Sequence, residues 1–130
     1  MKLNMIALAI CAVLFLAGCN AAETPEASYR QISTQEAVTM MAEETDYIIL
    51  DVRTQEEFAS GHIPEAINIP NEVIGTEDIP ELPNKEQLIL VYCRSGNRSK
   101  QASEKLVALG YTNIVEFGGI NSWSGEIVTD

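Results

Sequence analysis

The sequence predicts an α/β fold with a mainly parallel sheet buried between helices. Three observations lead there. Helical patterns alternate with short apolar runs along the chain. The apolar runs are continuous, as expected of strands covered on both faces. Helix starts and stops carry the cap residues that fit them.

The elements follow in order. Ser33 and Glu36 have capping-box spacing, with Ile32 placed as a hydrophobic staple. Ala37, Met40 and Met41 supply an apolar face, so a helix starts here. "YIILDV" (Tyr47 to Val52) is an apolar run broken by Asp51 and short enough for a buried strand. Thr54 and Glu57 repeat the capping box over "TQEEFASG", and Gly61 stops that short helix. "AINIP" (Ala66 to Pro70) reads as another strand, and "GTEDIPELPNKE" as an acidic, proline-rich loop. "LILVY" (Leu88 to Tyr92) is a buried strand. "SKQASEKLVAL" is a helix from Ser99, with Ala102, Leu106 and Leu109 on one face and Gly110 as its stop. "NIVEF" (Asn113 to Phe117) is the last strand. No internal repeat or low-complexity segment interrupts this order.

A chain of 130 residues, 46% of them apolar, suits one domain with a real core. Its formal charge is −11, from 19 acidic and 8 basic residues, with the acids scattered from Glu23 to Asp130. That surface repels nucleic acid and anionic lipid, so no nucleic-acid partner is expected.

The start of the chain reads separately. Lys2 precedes thirteen apolar residues, Met5 to Ala17, too few to span a bilayer comfortably and suited to a signal-peptide core. The run ends in "LAGC" (Leu16 to Cys19), which resembles the bacterial lipoprotein signal. The resemblance implies that residues 1–18 are a cleaved signal peptide and that Cys19 is lipidated. The membrane is then a partner through that lipid, and the domain sits on the extracytoplasmic side of a bacterial cell membrane. "NAAETPEAS" (Asn20 to Ser28) follows Cys19 as a tether, giving residues 19–28, and the domain occupies residues 29–130.

Of the three cysteines, Cys11 lies in the leader and Cys19 takes lipid, so Cys93 is the one free thiol expected in the mature domain. It stands where the central strand ends and a helix begins, an edge at which open α/β sheets bind ligands. Arg94, Ser95, Gly96, Asn97 and Arg98 follow at once. Gly96 lets the backbone curl, and Asn97 tolerates left-handed geometry. Successive N–H groups then form an anion nest around the sulfur, and the helix N-terminus and both arginines add positive charge. Each effect favours thiolate, the nucleophilic form, over thiol. An inert, buried strand-end cysteine is the alternative, but it would have apolar neighbours.

"CRSGNRS" (Cys93 to Ser99) resembles the active-site loop of rhodanese-like domains. "DVRTQEEFASGHIPEAINIP" (Asp51 to Pro70) and "GYTNIVEFGGINSW" (Gly110 to Trp123) are similar to two further signatures of that family, in family order. The resemblance implies a single domain with a five-stranded, mainly parallel sheet flanked by helices. It also implies sulfane-sulfur transfer through a Cys93 persulfide, with residues 94–99, Ser99 included, binding the substrate. Donors are small sulfur-containing anions such as thiosulfate. Acceptors are cyanide, thiols or a sulfur-accepting protein, and neither metal nor organic cofactor is needed. Asp51 is expected as a structural partner for backbone or arginine groups, while Arg53 either faces the site or packs structurally. His62, in the "GHIP" turn, is expected to make a structural hydrogen bond, and the glycine pair and Trp123 to close the fold. Glu65 departs from the pattern, which commonly has glycine after "GHIP".

Two rivals remain. Cysteine phosphatases place five residues between Cys and Arg to encircle phosphate; four lie between Cys93 and Arg98. A non-turnover sulfur-binding or redox-sensing module would reuse the same fold.

Overall fold

The computed structural model describes residues 28–129. The signal-peptide reading, Cys19 and the tether up to residue 27 lie outside the described residues. No helix among the described residues is long and apolar enough to cross a membrane.

The chain forms β1 (Arg30–Gln31), α1 (Thr34–Glu43), β2 (Tyr47–Asp51), α2 (Gln55–Ser60), β3 (Ile67–Asn68), β4 (Leu88–Cys93), α3 (Asn97–Ala108) and β5 (Ile114–Gly119). The strands make one five-stranded sheet in the order β1-β5-β4-β2-β3. Every strand pair in it is parallel. The predicted fold class holds.

Strand β4 is central and buried along all six residues. Its continuous apolar run divides by parity, because successive side chains leave a strand on opposite faces. Ile89, Val91 and Cys93 join Ala102 and Leu106 of α3 in one core. Leu88, Leu90 and Tyr92 join Ala37 of α1, Val115 and Phe117 in the other. Each fully buried Leu, Ile or Val contributes about 1.5–3 kcal/mol before entropy is counted. Cys93 therefore ends the best-anchored strand of the molecule, on its α3 side.

Both predicted capping boxes are present. Ser33 and Glu36 cap α1, and Thr54 and Glu57 cap α2, each hydroxyl accepting from the N3 backbone N–H. Three boundaries differ from the sequence reading. The "AINIP" strand shortens to two residues, β4 runs on through Cys93, and α3 starts at Asn97 instead of Ser99. Asn97 is thus helical. The left-handed residue of the turn is Gly96, at φ 106°. Strand β1 carries no apolar pattern. It exists because Arg30 and Gln31 pair with Val115 and Glu116 at the open edge of β5.

Glu65 takes φ 71°, the one positive-φ residue other than glycine among those described. The departure noted in the sequence thus falls on a left-handed position, which costs a residue with a Cβ about 1 kcal/mol. Glycine removes that cost but loses more chain entropy on folding. Glu65→Gly is expected to stabilise the domain by about 0.5 kcal/mol, the part of the strain that exceeds the added chain entropy. Urea denaturation of the two proteins checks this, and an unchanged or lower midpoint would contradict it.

Candidate active site

Cys93 is 1% exposed. Its sulfur accepts the Gly96 N–H at 3.0 Å and lies 3.4 Å from the Ser99 hydroxyl. The left-handed turn at Gly96 aims that N–H back at Sγ, and a helix follows at once, so the free N–H groups of its first turn face the same way. Burial alone pushes the Cys93 thiol up. The hydrogen bonds of the Ser99 hydroxyl and of the Ser99, Gly96 and Ser95 N–H groups outweigh it, so the pKa lies below the ordinary thiol value. The lowering is mainly the work of hydrogen bonds.

The remaining residues of "CRSGNRS" divide sharply. Arg94, Ser95 and Asn97 are exposed, while Gly96 and Ser99 are buried. Arg98 is half-buried, and its guanidinium already has a partner. It donates to Glu57 Oε1 at 2.6 Å and Oε2 at 3.0 Å, a bidentate pair between α3 and α2. That bond, against a smaller opposing effect of burial, holds the Glu57 carboxyl down at about 2. Glu57 Oε1 still accepts from Thr54, so one carboxylate caps α2 and grips the loop.

Arg53 packs structurally. It is 4% exposed and donates to Asp51 Oδ2 and to the Gly61 carbonyl, both at 2.7 Å. Asp51 also accepts the Arg53 backbone N–H at 2.9 Å. Asn68 donates to the Asp51 and Arg53 carbonyls, tying β3 to the same corner. The Asp51–Arg53 pair thus braces the strand ends beside the loop and does not open into it. His62 Nδ1 lies 2.8 Å from the Phe58 carbonyl, and its ring stacks on Phe58 at 3.7 Å.

The glycine pair sits directly behind the loop. Gly119 pairs with Cys93 across an irregular register. A Cβ on Gly119 would collide with the Arg94 carbonyl and come within 2.6 Å of the Ser95 nitrogen. The Asn121 N–H then donates to that Arg94 carbonyl at 3.1 Å. Trp123 packs on Phe117, with ring centroids 6.1 Å apart.

The sequence reading missed two residues. Glu57 was seen only as a cap, and nothing local announces a partner 41 positions away. Glu116 was read as part of a strand. It is 2% exposed and accepts the Ser99 hydroxyl at 2.6 Å and the Gly118 N–H at 2.8 Å. A carboxylate inside an apolar strand was the available signal. Together these groups present a buried thiol, its thiolate form favoured by hydrogen bonds, to whatever enters the loop, with N–H donors arranged for an anion.

Comparison with known proteins gives consistent results. The model of the rhodanese-like domain matches residues 33–126. The sulfurtransferase of Allochromatium vinosum is 35% identical over 95 residues, spanning 72% of this chain and 87% of that protein. Thiosulfate sulfurtransferase GlpE of Coxiella burnetii is 31% identical over 99 residues, spanning 75% of this chain and 90% of that protein. The rhodanese-related protein of Thermoplasma volcanium superposes with a TM-score of 0.66 at 30% identity, covering 78% of this chain and 100% of that one. Against the adenylyltransferase and sulfurtransferase uba4 of Ogataea parapolymorpha, the chain spans 22% of that protein's length.

Gly119→Ala is expected to displace the Arg94–Ser95 backbone and destabilise the domain by about 2 kcal/mol. The Cys93 thiol should also become less acidic, because the N–H groups lose their aim. Denaturant midpoints and the pH dependence of iodoacetamide alkylation at Cys93 check both effects. Wild-type values in both would contradict the packing argument.

Proposed function

The chain belongs to the rhodanese-like domain family, and on that premise we propose that it is a sulfurtransferase working through a Cys93 persulfide. The Cys93 thiolate attacks the outer sulfur of a donor such as thiosulfate. A sulfur–sulfur bond forms at Cys93, the donor's sulfur–sulfur bond breaks, and sulfite leaves with the electron pair. A thiophilic acceptor, such as cyanide, a thiol or a protein cysteine, then attacks the outer sulfur and releases the thiolate. The observation that carries this reading is the Gly96 N–H aimed at the buried sulfur at 3.0 Å. Hydrogen-bond donors held in place for a developing anion stabilise the charge at little reorganisation cost.

The residues divide the work. Cys93 is the nucleophile. Gly96, Ser95 and Ser99 supply donors around it, and Asn97 opens the helix whose first turn faces it. Arg98, tied to Glu57, holds that turn in place and lends positive charge felt at Cys93. Arg94, exposed at the lip, is the freer cation for guiding an anion inward. The choice of thiosulfate as donor follows the likeness to thiosulfate sulfurtransferase GlpE of Coxiella burnetii.

Wild-type protein treated with thiosulfate should gain one sulfur atom at Cys93 by mass spectrometry, and Cys93→Ser should gain none. Thiocyanate should form with cyanide as acceptor, at a rate at least a thousandfold above that of Cys93→Ser. Uptake of sulfur without turnover to any acceptor would favour the binding-module alternative. Hydrolysis of aryl phosphates with no sulfur uptake would favour the phosphatase.

We further propose that Cys19 anchors the domain to a bacterial membrane on its extracytoplasmic side. The support is the basic Lys2, the apolar run from Met5 to Ala17 and the "LAGC" box. Expressed in bacteria, the protein should partition with membranes and carry acyl chains on Cys19. Cys19→Ala should abolish the lipid. Wild-type protein recovered without lipid would refute the anchor.

A further inference from the structure

Glu116 is the buried acid that the proposed sulfur transfer does not use. It rises from β5, is 2% exposed, and sits beneath the Cys93 loop. Three buried groups stand in line. Cys93 Sγ is 3.4 Å from Ser99 Oγ, and Ser99 Oγ is 2.6 Å from Glu116 Oε1. Ser99 is 0% exposed, so its oxygen is out of reach of bulk solvent.

A serine hydroxyl has one proton to donate. Four acceptors surround this one: Cys93 Sγ, Glu116 Oε1, the Gly96 carbonyl at 3.0 Å and the Gly118 carbonyl at 3.2 Å. The Glu116 contact is the shortest, and a carboxylate acceptor makes a bond roughly twice as strong as a neutral one. While Glu116 holds the Ser99 proton, the hydroxyl turns a lone pair toward sulfur. That lone pair accepts from the Cys93 S–H, so the lowering that the Ser99 hydroxyl gives the thiol is realised only when its proton turns from Glu116 to the thiolate. A thiolate at Cys93 regains the Ser99 proton only by drawing it off Glu116.

We propose that Glu116 is a positioning residue that restrains the ionisation of Cys93 by competing with its sulfur for the Ser99 proton. The inference rests on Cys93 being the reacting thiol. The consequence is a nucleophile of tuned basicity. Thiolate reactivity falls as thiol pKa falls, and the best attacking thiol has a pKa near the ambient pH. A nest of N–H groups acting alone lowers the thiol further, at a cost in nucleophilicity. Glu116 holds it back.

Other charges face these groups. Arg98 on α3 interacts with Cys93 and is itself flanked by Glu57 and Glu72. Tyr29, ahead of β1, is pushed up by burial and then by the charges of Glu104 and Glu116. Arg94 is exposed on the loop. None of them bonds to the Ser99 hydroxyl, and the direct effect of the Glu116 charge on the sulfur is separated from the competition by comparison in a Ser99→Ala background.

The test is the pH midpoint of Cys93 alkylation by iodoacetamide, read by mass spectrometry, in the full chain. Glu116→Gln keeps the shape and an acceptor oxygen but removes the charge. Its midpoint is expected to fall by about one pH unit. Glu116→Asp keeps the charge but draws the oxygen back from Ser99, so its midpoint should fall as well, by less. It carries the same test should Glu116→Gln not fold. In a Ser99→Ala background, the Glu116→Gln shift should shrink by at least half, since the shared proton is gone. A midpoint that stays or rises in the variants, or an equal shift with and without Ser99, would overturn the proposal. Alkylation requires no sulfur donor. Failure of sulfur transfer would therefore show separately, as wild-type Cys93 that titrates as described but never gains a sulfur.

Discussion

The structure depends on how strand β4 ends. Its six residues are packed on both faces, and the last of them is the cysteine. A side chain at the end of a fully buried strand has its backbone held by neighbours on either side. Here those neighbours are β2 and β5. The turn that follows is fixed from behind, because Gly119 lets β5 approach the Arg94 carbonyl more closely than any side chain permits. The Gly96 N–H then has one direction available, toward sulfur. Removing any of these constraints leaves the same residues present but not aimed, and a donor misplaced by about an ångström loses much of its value.

The acids account for the placement of the cations. The chain carries more than twice as many acidic as basic residues, 19 against 8. Around the loop this excess takes specific form. Arg53 is consumed by Asp51, Arg98 by Glu57, and the Ser99 hydroxyl by Glu116. The buried Asp51–Arg53 pair has its extra hydrogen bonds satisfied by Gly61 and by the backbone, as a buried ion pair requires if its desolvation is to be offset. The Arg98–Glu57 pair is partly exposed and contributes less to stability, but it fixes the first turn of α3 against α2.

Much of this was legible in the sequence. The capping boxes at Ser33 and Thr54, the buried run of β4 and the stop at Gly110 depend on near neighbours, and local pattern carries them. The position of Cys93 at a strand end was equally readable. What escaped was set by partners distant in sequence. Strand β1 has two residues and no periodicity, and only the open edge of β5 makes it a strand. Arg53 could not be assigned to site or scaffold from its own neighbours, since its deciding contacts come from Asp51 and the Gly61 carbonyl together. Glu57 pairs with a residue 41 positions on, and Glu116 reads as strand until Ser99 is placed above it. The first turn of α3 was read as loop because Arg94 to Arg98 looks polar throughout, whereas the left-handed Gly96 starts the helix two residues sooner than expected.

The same arrangement changes which groups hold an anion at Cys93. Two of the nearby guanidinium groups already have carboxylate partners, so neither brings an uncompensated charge to the loop. The work passes to backbone N–H groups, which carry partial charge, do not titrate and need no counter-ion. A nest of such donors suits the single sulfur atom of a thiolate or persulfide held at Cys93, since its field is modest and short in range. The three-residue turn from Arg94 to Gly96 is just long enough to bring N–H groups to one sulfur atom. A tetrahedral phosphate needs donors on several oxygens and full positive charge to balance it. On this chain the arginine at the phosphatase-like side of the loop is spent on Glu57. Loop length therefore favours a sulfur atom bound at Cys93 over a phosphate encircled there, while the exposed Arg94 remains for the charge of an incoming donor anion.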